Sequence, residues 1–364
     1  KVAVAVAGGA DVIDLAKGNP DAFPADFIRD VAKQSVDDPA NARYSPFDGK
    51  PSFLQAAEHW YRNTYDVDLD WRTQLFAVEG AVDGLAALFA VLVSEGDAVA
   101  YADPYYPSYH CMTLMSRAEE ILLPSLAERG FLPNLDAVPG ETWDRVKVLI
   151  LNYPNNPTGA QAPREFLERA IELAHEHRFV IVQDFAYAGL GVRNQQISIL
   201  SLPDAFDVTV EVCSLSKMYA MAGWRAGFIA GNDDIVSHVK QYHYQMGSMV
   251  TGNVQDAGTV VLQSDQECVA ELASRYALRR QIVADGLRDA GLDVFDSDGG
   301  IYAWVHAPEG LTGERFADLL LERAAVAALP GTCFGKVGVD YVRFSLLKSE
   351  DQLREAVRRI AAVL

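Results

Sequence analysis

Cysteine is scarce in this sequence of 364 residues. There are four, Cys111, Cys213, Cys268 and Cys333, and no two form a CxxC pair. That argues against a disulfide framework or a zinc site and fits a reducing cytoplasm. Long apolar runs are missing too: no stretch reaches the roughly 18 consecutive apolar residues of a membrane helix. Positive charge is short, with 31 Lys and Arg against 50 Asp and Glu, a formal net charge of −19. The acids are spread along the chain, so the surface is expected to be solvated and to repel nucleic acid and anionic lipid. There is no internal repeat, low-complexity tract or long linker. The opening run, residues 1–9, carries one charge and a short apolar stretch, too weak for a secretory signal. The chain opens on Lys1 rather than methionine, so residues upstream are expected.

Half of the residues are hydrophobic and mean hydropathy is close to zero, the composition of a globular protein with a well-filled core. The length suits two domains, or one large domain and a smaller one. Short apolar runs at 98–102, 146–151, 180–182, 208–212 and 227–230 read as buried strands. Helical patterns at 85–93, 166–175 and 234–243 alternate with them, which argues for an α/β domain with a mostly parallel sheet. A long amphipathic stretch follows at 254–290. The rhythm then shortens at 301–306, 314–322, 341–345 and 352–363. This change predicts a smaller α+β domain. The division is placed near residue 270, giving a large domain of residues 36–270 and a small one of residues 1–35 and 271–364.

The most informative segment is 214–227, SLSKMYAMAGWRAG. Lys217 lies between small hydroxyl residues, with Arg225 eight positions on. A lysine that forms an imine must lose its proton, and a fixed cation nearby helps it do so. Ser214, Ser216 and Arg225 supply hydroxyl donors and a bidentate cation suited to a phosphate. A second segment, 152–159, NYPNNPTG, follows an apolar strand. It predicts a turn at the carboxyl end of that strand, where α/β sheets bind ligands. A third, 180–187, VIVQDFAY, is a buried strand that ends on Asp184. Such an aspartate is often only a helix cap. Facing a pyridine nitrogen, it would keep that nitrogen protonated and make the ring an electron sink. A fourth, 78–84, VEGAVDG, leads into an apolar helix whose first backbone N–H groups could meet an anion. Tyr105 and Tyr106 in the segment 103–107 could stack on a ring or serve as core aromatics.

Together these segments resemble the class I/II aminotransferases of the pyridoxal-phosphate fold type I, over almost the whole chain and in the family's order. The resemblance implies an enzyme that moves an amino group from an L-amino acid to a 2-oxo acid on pyridoxal 5'-phosphate. It implies that Lys217 is the Schiff-base lysine and proton shuttle, and Asp184 the partner of the pyridine nitrogen. Asn156 and Tyr187 match the pair on the ring's 3'-oxygen, and Tyr106 matches the stacking aromatic. The amides of Ala81 and Val82, with Ser214, Ser216 and Arg225, match the phosphate cradle. Tyr44, in the segment 44–49, YSPFDG, matches the tyrosine that reaches the phosphate from a neighbouring subunit, so a homodimer with shared sites is implied. Arg343, in the segment 341–345, YVRFS, matches the arginine that clamps the substrate α-carboxylate. Gly18, in the segment 17–21, KGNPD, matches a glycine lining that site, with Asn156 also touching substrate.

The sequence departs from the family at Ala81 and Val82, where hydroxyl, lysine or amide side chains are common. Phosphate holding is therefore expected to lean on Ser214, Ser216, Arg225 and Tyr44. The missing lysine, together with an arginine-free segment 241–250, QYHYQMGSMV, at the place of a cross-subunit loop, favours a neutral rather than dicarboxylic donor. Lyases, cyclases and oxidases share the same constellation and remain open at this point, because fold does not fix reaction. A non-catalytic, aminotransferase-like binding module is the remoter alternative. It would carry an added DNA-binding domain and a basic surface.

Overall fold

The computed structural model describes residues 1–191, 196–246 and 249–364. Strand β1 (Ile13–Asp14) belongs to a small outlying pair. The main sheet is built from β2 (Leu75–Val78), β3 (Ala98–Asp103), β4 (Glu119–Pro124), β5 (Val146–Leu151), β6 (Val180–Asp184), β7 (Thr209–Ser214) and β8 (Gly227–Gly231). Their order across the sheet is β2-β8-β7-β6-β5-β3-β4. All run in one direction except β8, which pairs antiparallel with both of its neighbours. These strands are continuous aliphatic runs because helices cover both faces of a parallel sheet. With side chains alternating at period two, Val148, Ile150, Val182, Val210 and Val212 pack with Leu85 and Leu88 of the helix Ala81–Leu92. On the other face Leu149, Ile181 and Cys213 meet Phe53, Trp60 and Tyr61 of the helix Pro51–Tyr65, and Leu167 and Ile171 of the helix Arg164–His177.

A second sheet is antiparallel, in the order β11 (Leu329–Pro330), β12 (Tyr341–Ser345), β9 (Tyr302–His306). Strand β10 (Val326–Ala327) pairs with β1, bringing the start of the chain to this body. Its core contains Ile13, Leu15, Val283, Leu287, Phe316, Val342, Phe344, Leu353 and Ile360.

Three boundaries differ from the sequence reading. The stretch expected as one helix over 254–290 is two, Gly252–Leu262 and Glu267–Asp289. The break closes on Gln266, which has φ +64° and whose side-chain amide donates to the Val261 carbonyl at 2.9 Å. The helix expected at 85–93 starts four residues earlier, because Gly80 at φ +90° forms its N-cap. The helix Asp26–Val36, placed with the small domain by residue number, buries Ile28 and Ala32 in the core of the larger sheet. The helix Glu267–Asp289 puts Val269 in that core and Val283 and Leu287 in the smaller one. We propose that the two bodies divide within it, near residue 270.

Candidate active site

Strands β2, β3, β5, β6 and β7 point their carboxyl ends to one side, and a cavity of about 520 Å³ opens there. It is lined by Lys217, Asp184, Asn156, Tyr187, Tyr106, Ser214, Ser216, Arg225, Ala81, Val82, Gly18 and Arg343. Residues scattered over more than 300 sequence positions thus meet at the place where parallel α/β sheets bind ligands.

β7 delivers Lys217. Its last residue, Ser214, caps a single helical turn, Leu215–Met218, by accepting from the Ser216 N–H at 3.2 Å. Lys217 lies on that turn, and its Nζ donates to the Gly18 carbonyl at 2.6 Å. Burial, then the charges of Arg343 and Arg225, pull the amine down to about 8 from an ordinary value of 10.5. A buried amine beside two guanidiniums is easier to deprotonate, as an imine-forming lysine requires.

β6 ends on Asp184, which is 4% exposed. The Tyr109 hydroxyl donates to its Oδ2 at 2.6 Å, and the Ala186 N–H to its Oδ1 at 3.2 Å. Burial raises the carboxyl to about 6, and these two bonds oppose the rise. Asn152, at the end of β5, donates from Nδ2 to the Asp184 carbonyl at 2.9 Å. Its Oδ1 accepts from the Asn156 N–H at 2.9 Å. One asparagine therefore ties the loops after β5 and β6 together.

Arg343 comes from β12, between Trp304 of β9 and Leu329 of β11. Its Nη1 donates to Asn156 Oδ1 at 2.7 Å and its Nη2 to the Ala16 carbonyl at 3.0 Å. The guanidinium carbon lies 3.8 Å from the Tyr302 ring centroid and 4.8 Å from that of Phe334. The residue is 5% exposed, and its Nε is buried with no partner among the described residues. A buried planar cation with a donor to spare suits a carboxylate. Tyr187, 6% exposed, stands beside Tyr302, and burial drives its phenol well up.

The remaining wall is an anion seat. Helix geometry leaves the N–H groups of Ala81, Val82 and Asp83 without intrahelical partners. Arg225 adds a cation at the same end, donating from Nη2 to the Glu79 carbonyl at 2.8 Å and from Nη1 to the Ala222 carbonyl at 3.0 Å. Gly80 has φ +90°, a conformation that favours glycine, and a Cβ there would stand 2.7 Å from the end of the Arg225 side chain.

Comparison with known proteins decides the family. The profile of "Aminotransferase class I and II" matches residues 10–360. The chain is 39% identical over 361 residues to the L-glutamine–4-(methylsulfanyl)-2-oxobutanoate aminotransferase of Bacillus subtilis, covering 99% of this chain and 91% of that one. It is 37% identical over 355 residues to the LL-diaminopimelate aminotransferase of Syntrophobacter fumaroxidans, covering 97% and 92%. Among solved structures, a probable N-succinyldiaminopimelate aminotransferase from Thermus thermophilus superposes with TM-score 0.95 at 32% identity, covering 100% of this chain and 97% of that one. The chain belongs to the class I and II aminotransferases.

This aminotransferase has the fold type I architecture and uses pyridoxal phosphate, transferring amino groups between amino acids and 2-oxo acids. Its cavity fits that cofactor. It offers an amine pulled down to about 8, a buried carboxylate, and a helix N-terminus with an arginine and two serines around it. Among the described residues no group of His, Cys, Asp and Glu is placed to hold a metal ion, and no helix is long and apolar enough to cross a membrane.

Tyr44 alone among the expected site residues is not brought to the cavity within this chain. It is 90% exposed and lines a separate depression with Glu79, Met249 and Gly252. The segment 241–250 also departs from expectation. Its residues 241–246 close the helix Asp233–Met246 rather than form a loop, and His243 packs on Phe76 at 4.9 Å. Gly247 and Ser248 lie outside the described residues. Sequence reasoning missed Asn152, Tyr109, Tyr302 and Asn19. Asn152 had a signal, as it opens the Asn-rich turn. Tyr109 and Tyr302 had none, being aromatics among many.

Proposed function

We propose that the donor is an L-amino acid with an uncharged side chain, and that Lys217 carries the cofactor covalently and moves its proton. The observation that supports this most is how the cations around the cavity are placed. Lys217 is the reacting amine, Arg225 stands at the phosphate end, and Arg343 is left for the α-carboxylate. Lys17 also lines the cavity, but it is 79% exposed and paired with Asp14 at 3.1 Å. Among the described residues lining the cavity no further buried cation remains for a second carboxylate, and Leu85, Ala186, Ala222 and Tyr302 complete the wall. The Bacillus subtilis relative named for glutamine agrees with this choice.

Bound pyridoxal phosphate supplies the electron sink. The chain's own residues do the rest. Arg343 orients the substrate by a bidentate grip on its carboxylate. Neutral Lys217 Nζ would take the substrate's Cα proton and hold it for return. Asp184 would keep the proton on the ring nitrogen. Asn156 and Tyr187 would hold the ring's 3'-oxygen, Tyr106 would cover its face, and Ala81, Val82, Ser214, Ser216 and Arg225 would hold the phosphate. Gly18 lines the substrate side through its carbonyl.

Two further parts of the reading concern assembly and place. We propose a homodimer in which Tyr44 of each chain serves the other's site, supported by its exposure at the rim of a depression. A cytoplasmic location is supported by four unpaired cysteines. The test of function is a spectral half-reaction screen over the common amino acids without 2-oxo acid. Conversion of the cofactor to its aminated form by neutral donors is expected. Faster reaction with aspartate or glutamate would overturn the donor class.

A further inference from the structure

Tyr109 lies one layer behind the cavity, 2% exposed, and touches two walls of it at once. Its hydroxyl donates to Asp184 Oδ2 at 2.6 Å. Its ring meets that of Tyr106 edge to face, with centroids 5.6 Å apart and planes at 79°. We propose that Tyr109 is a positioning residue of this active site: its hydroxyl fixes the Asp184 carboxylate toward the cofactor's ring nitrogen, and its ring backs the Tyr106 ring. One side chain then sets both the edge and the face of the cofactor's seat. The proposal rests on the functional reading above.

The two bonds to the carboxylate are unequal. The Ala186 N–H reaches Oδ1 at 3.2 Å, at the long end for N–H···O. The Tyr109 contact is in the short range of a charge-assisted O–H···O bond. The last torsion of an aspartate is soft, so the stronger bond decides where the second oxygen points. Tyr109 is itself held. It lies in the first turn of the helix Pro107–Met115, its N–H donates to the Tyr106 carbonyl at 3.0 Å, and its own carbonyl accepts from Thr113 Oγ1 at 2.8 Å. Tyr101 packs on the ring edge to face at 5.8 Å. The hydroxyl cannot move away without disturbing the two aromatic rings packed on Tyr109. The bond also favours the ionised carboxylate against burial, which is the form that can hold a ring proton.

Tyr109→Phe keeps the rings and deletes the bond. The experiment compares it with wild-type holoenzyme and with Tyr101→Phe, whose lost hydroxyl pairs with Glu120 instead. In Tyr109→Phe the visible band of the lysine-bound cofactor should titrate at higher pH, because a less firmly protonated ring withdraws less charge. The half-reaction rate should fall roughly tenfold, the size of one charge-assisted hydrogen bond, with substrate affinity nearly unchanged. Tyr101→Phe should change neither. An unshifted band in Tyr109→Phe, or an equal shift in both variants, overturns the proposal. Where Tyr109→Phe fails to fold, 3-fluorotyrosine at position 109 keeps the shape and strengthens the donor, and should move the band to lower pH. No movement there also overturns it. If the wild type shows no half-reaction with any amino acid, the functional reading fails, while the band titration still decides the role of Tyr109.

Discussion

Arg343 Nη1 donates to Asn156 Oδ1 at 2.7 Å, joining the small antiparallel sheet to the loop beyond β5. The same asparagine is held from behind by Asn152, which also grips the Asp184 backbone. The proposed carboxylate clamp and the two strand ends of the cofactor seat therefore form one hydrogen-bonded unit.

Arg343→Lys should break that unit while keeping the charge. A lysine cannot replace a planar fork. Substrate affinity is expected to fall roughly 10- to 100-fold, the worth of one hydrogen bond to a charged group. Steady-state kinetics and a spectral titration with an unreactive substrate analogue would check it. An unchanged affinity would remove Arg343 from the substrate site.

Capture of the cofactor by apo-protein should follow the protonation of Lys217. Its amine lies at about 8, and only the neutral form attacks a carbonyl. The rate of capture should rise about tenfold per pH unit below 8 and level off above it. A lysine at its ordinary value would still be climbing at pH 10. Arg343→Gln removes one of the charges that depress the amine, so its levelling point should move to higher pH.

A shared site can be tested by mixing inactive variants. Lys217→Ala should lose activity by more than about a thousandfold, as expected for removal of the proposed proton carrier. A Tyr44→Ala variant should hold cofactor weakly. If Tyr44 serves the partner's site, mixed dimers rebuild one intact site, and random exchange restores about a quarter of the sites. Recovery on mixing is the readout, and its absence would confine Tyr44 to a surface role.

Glu211 gives the apo-protein a pH-dependent stability unrelated to catalysis. It is fully buried on β7, with bonds from Tyr61 Oη at 2.6 Å, Ser198 Oγ at 2.9 Å and the Ile199 N–H at 2.8 Å. Burial raises it to about 7 from an ordinary value of 4.5. Below 4.5 the carboxyl is neutral in both folded and unfolded chains, and its contribution is fully present. As pH rises to 7 the unfolded chain ionises first, and roughly 3 kcal/mol of stability is lost. Apo Glu211→Gln should show a flatter dependence of unfolding temperature between pH 5 and 8.

The residues legible in the sequence are those at strand ends. Lys217, Asp184 and Asn156 each follow an aliphatic run, and the end of a parallel strand is the one place where such a residue can face a ligand. Arg343 was legible through its short apolar strand. Asn152 was marked only as the start of an Asn-rich turn, and its grip on Asp184, 32 positions away, was not. Tyr109 and Tyr302 were not legible at all, because their importance lies in a partner 75 positions away for the first and in a ring contact with Arg343 for the second. Periodicity reports which face a side chain takes, not which group it meets there. The break at Gln266 was hidden for a similar reason. Its amide closes the turn at 263–266 by local bonds that leave the apolar pattern intact on both sides.

Ala81 and Val82 have no polar side chain to offer at the proposed phosphate end, so their own part in holding an anion falls to the main chain. Substitution at either position leaves the N–H in place, proline excepted. The fragility is displaced by one residue. At Gly80 any side chain would have to accept φ +90° and push the end of the Arg225 side chain aside. The genetic Achilles heel of this cofactor seat is a residue that never touches the cofactor with a side chain of its own.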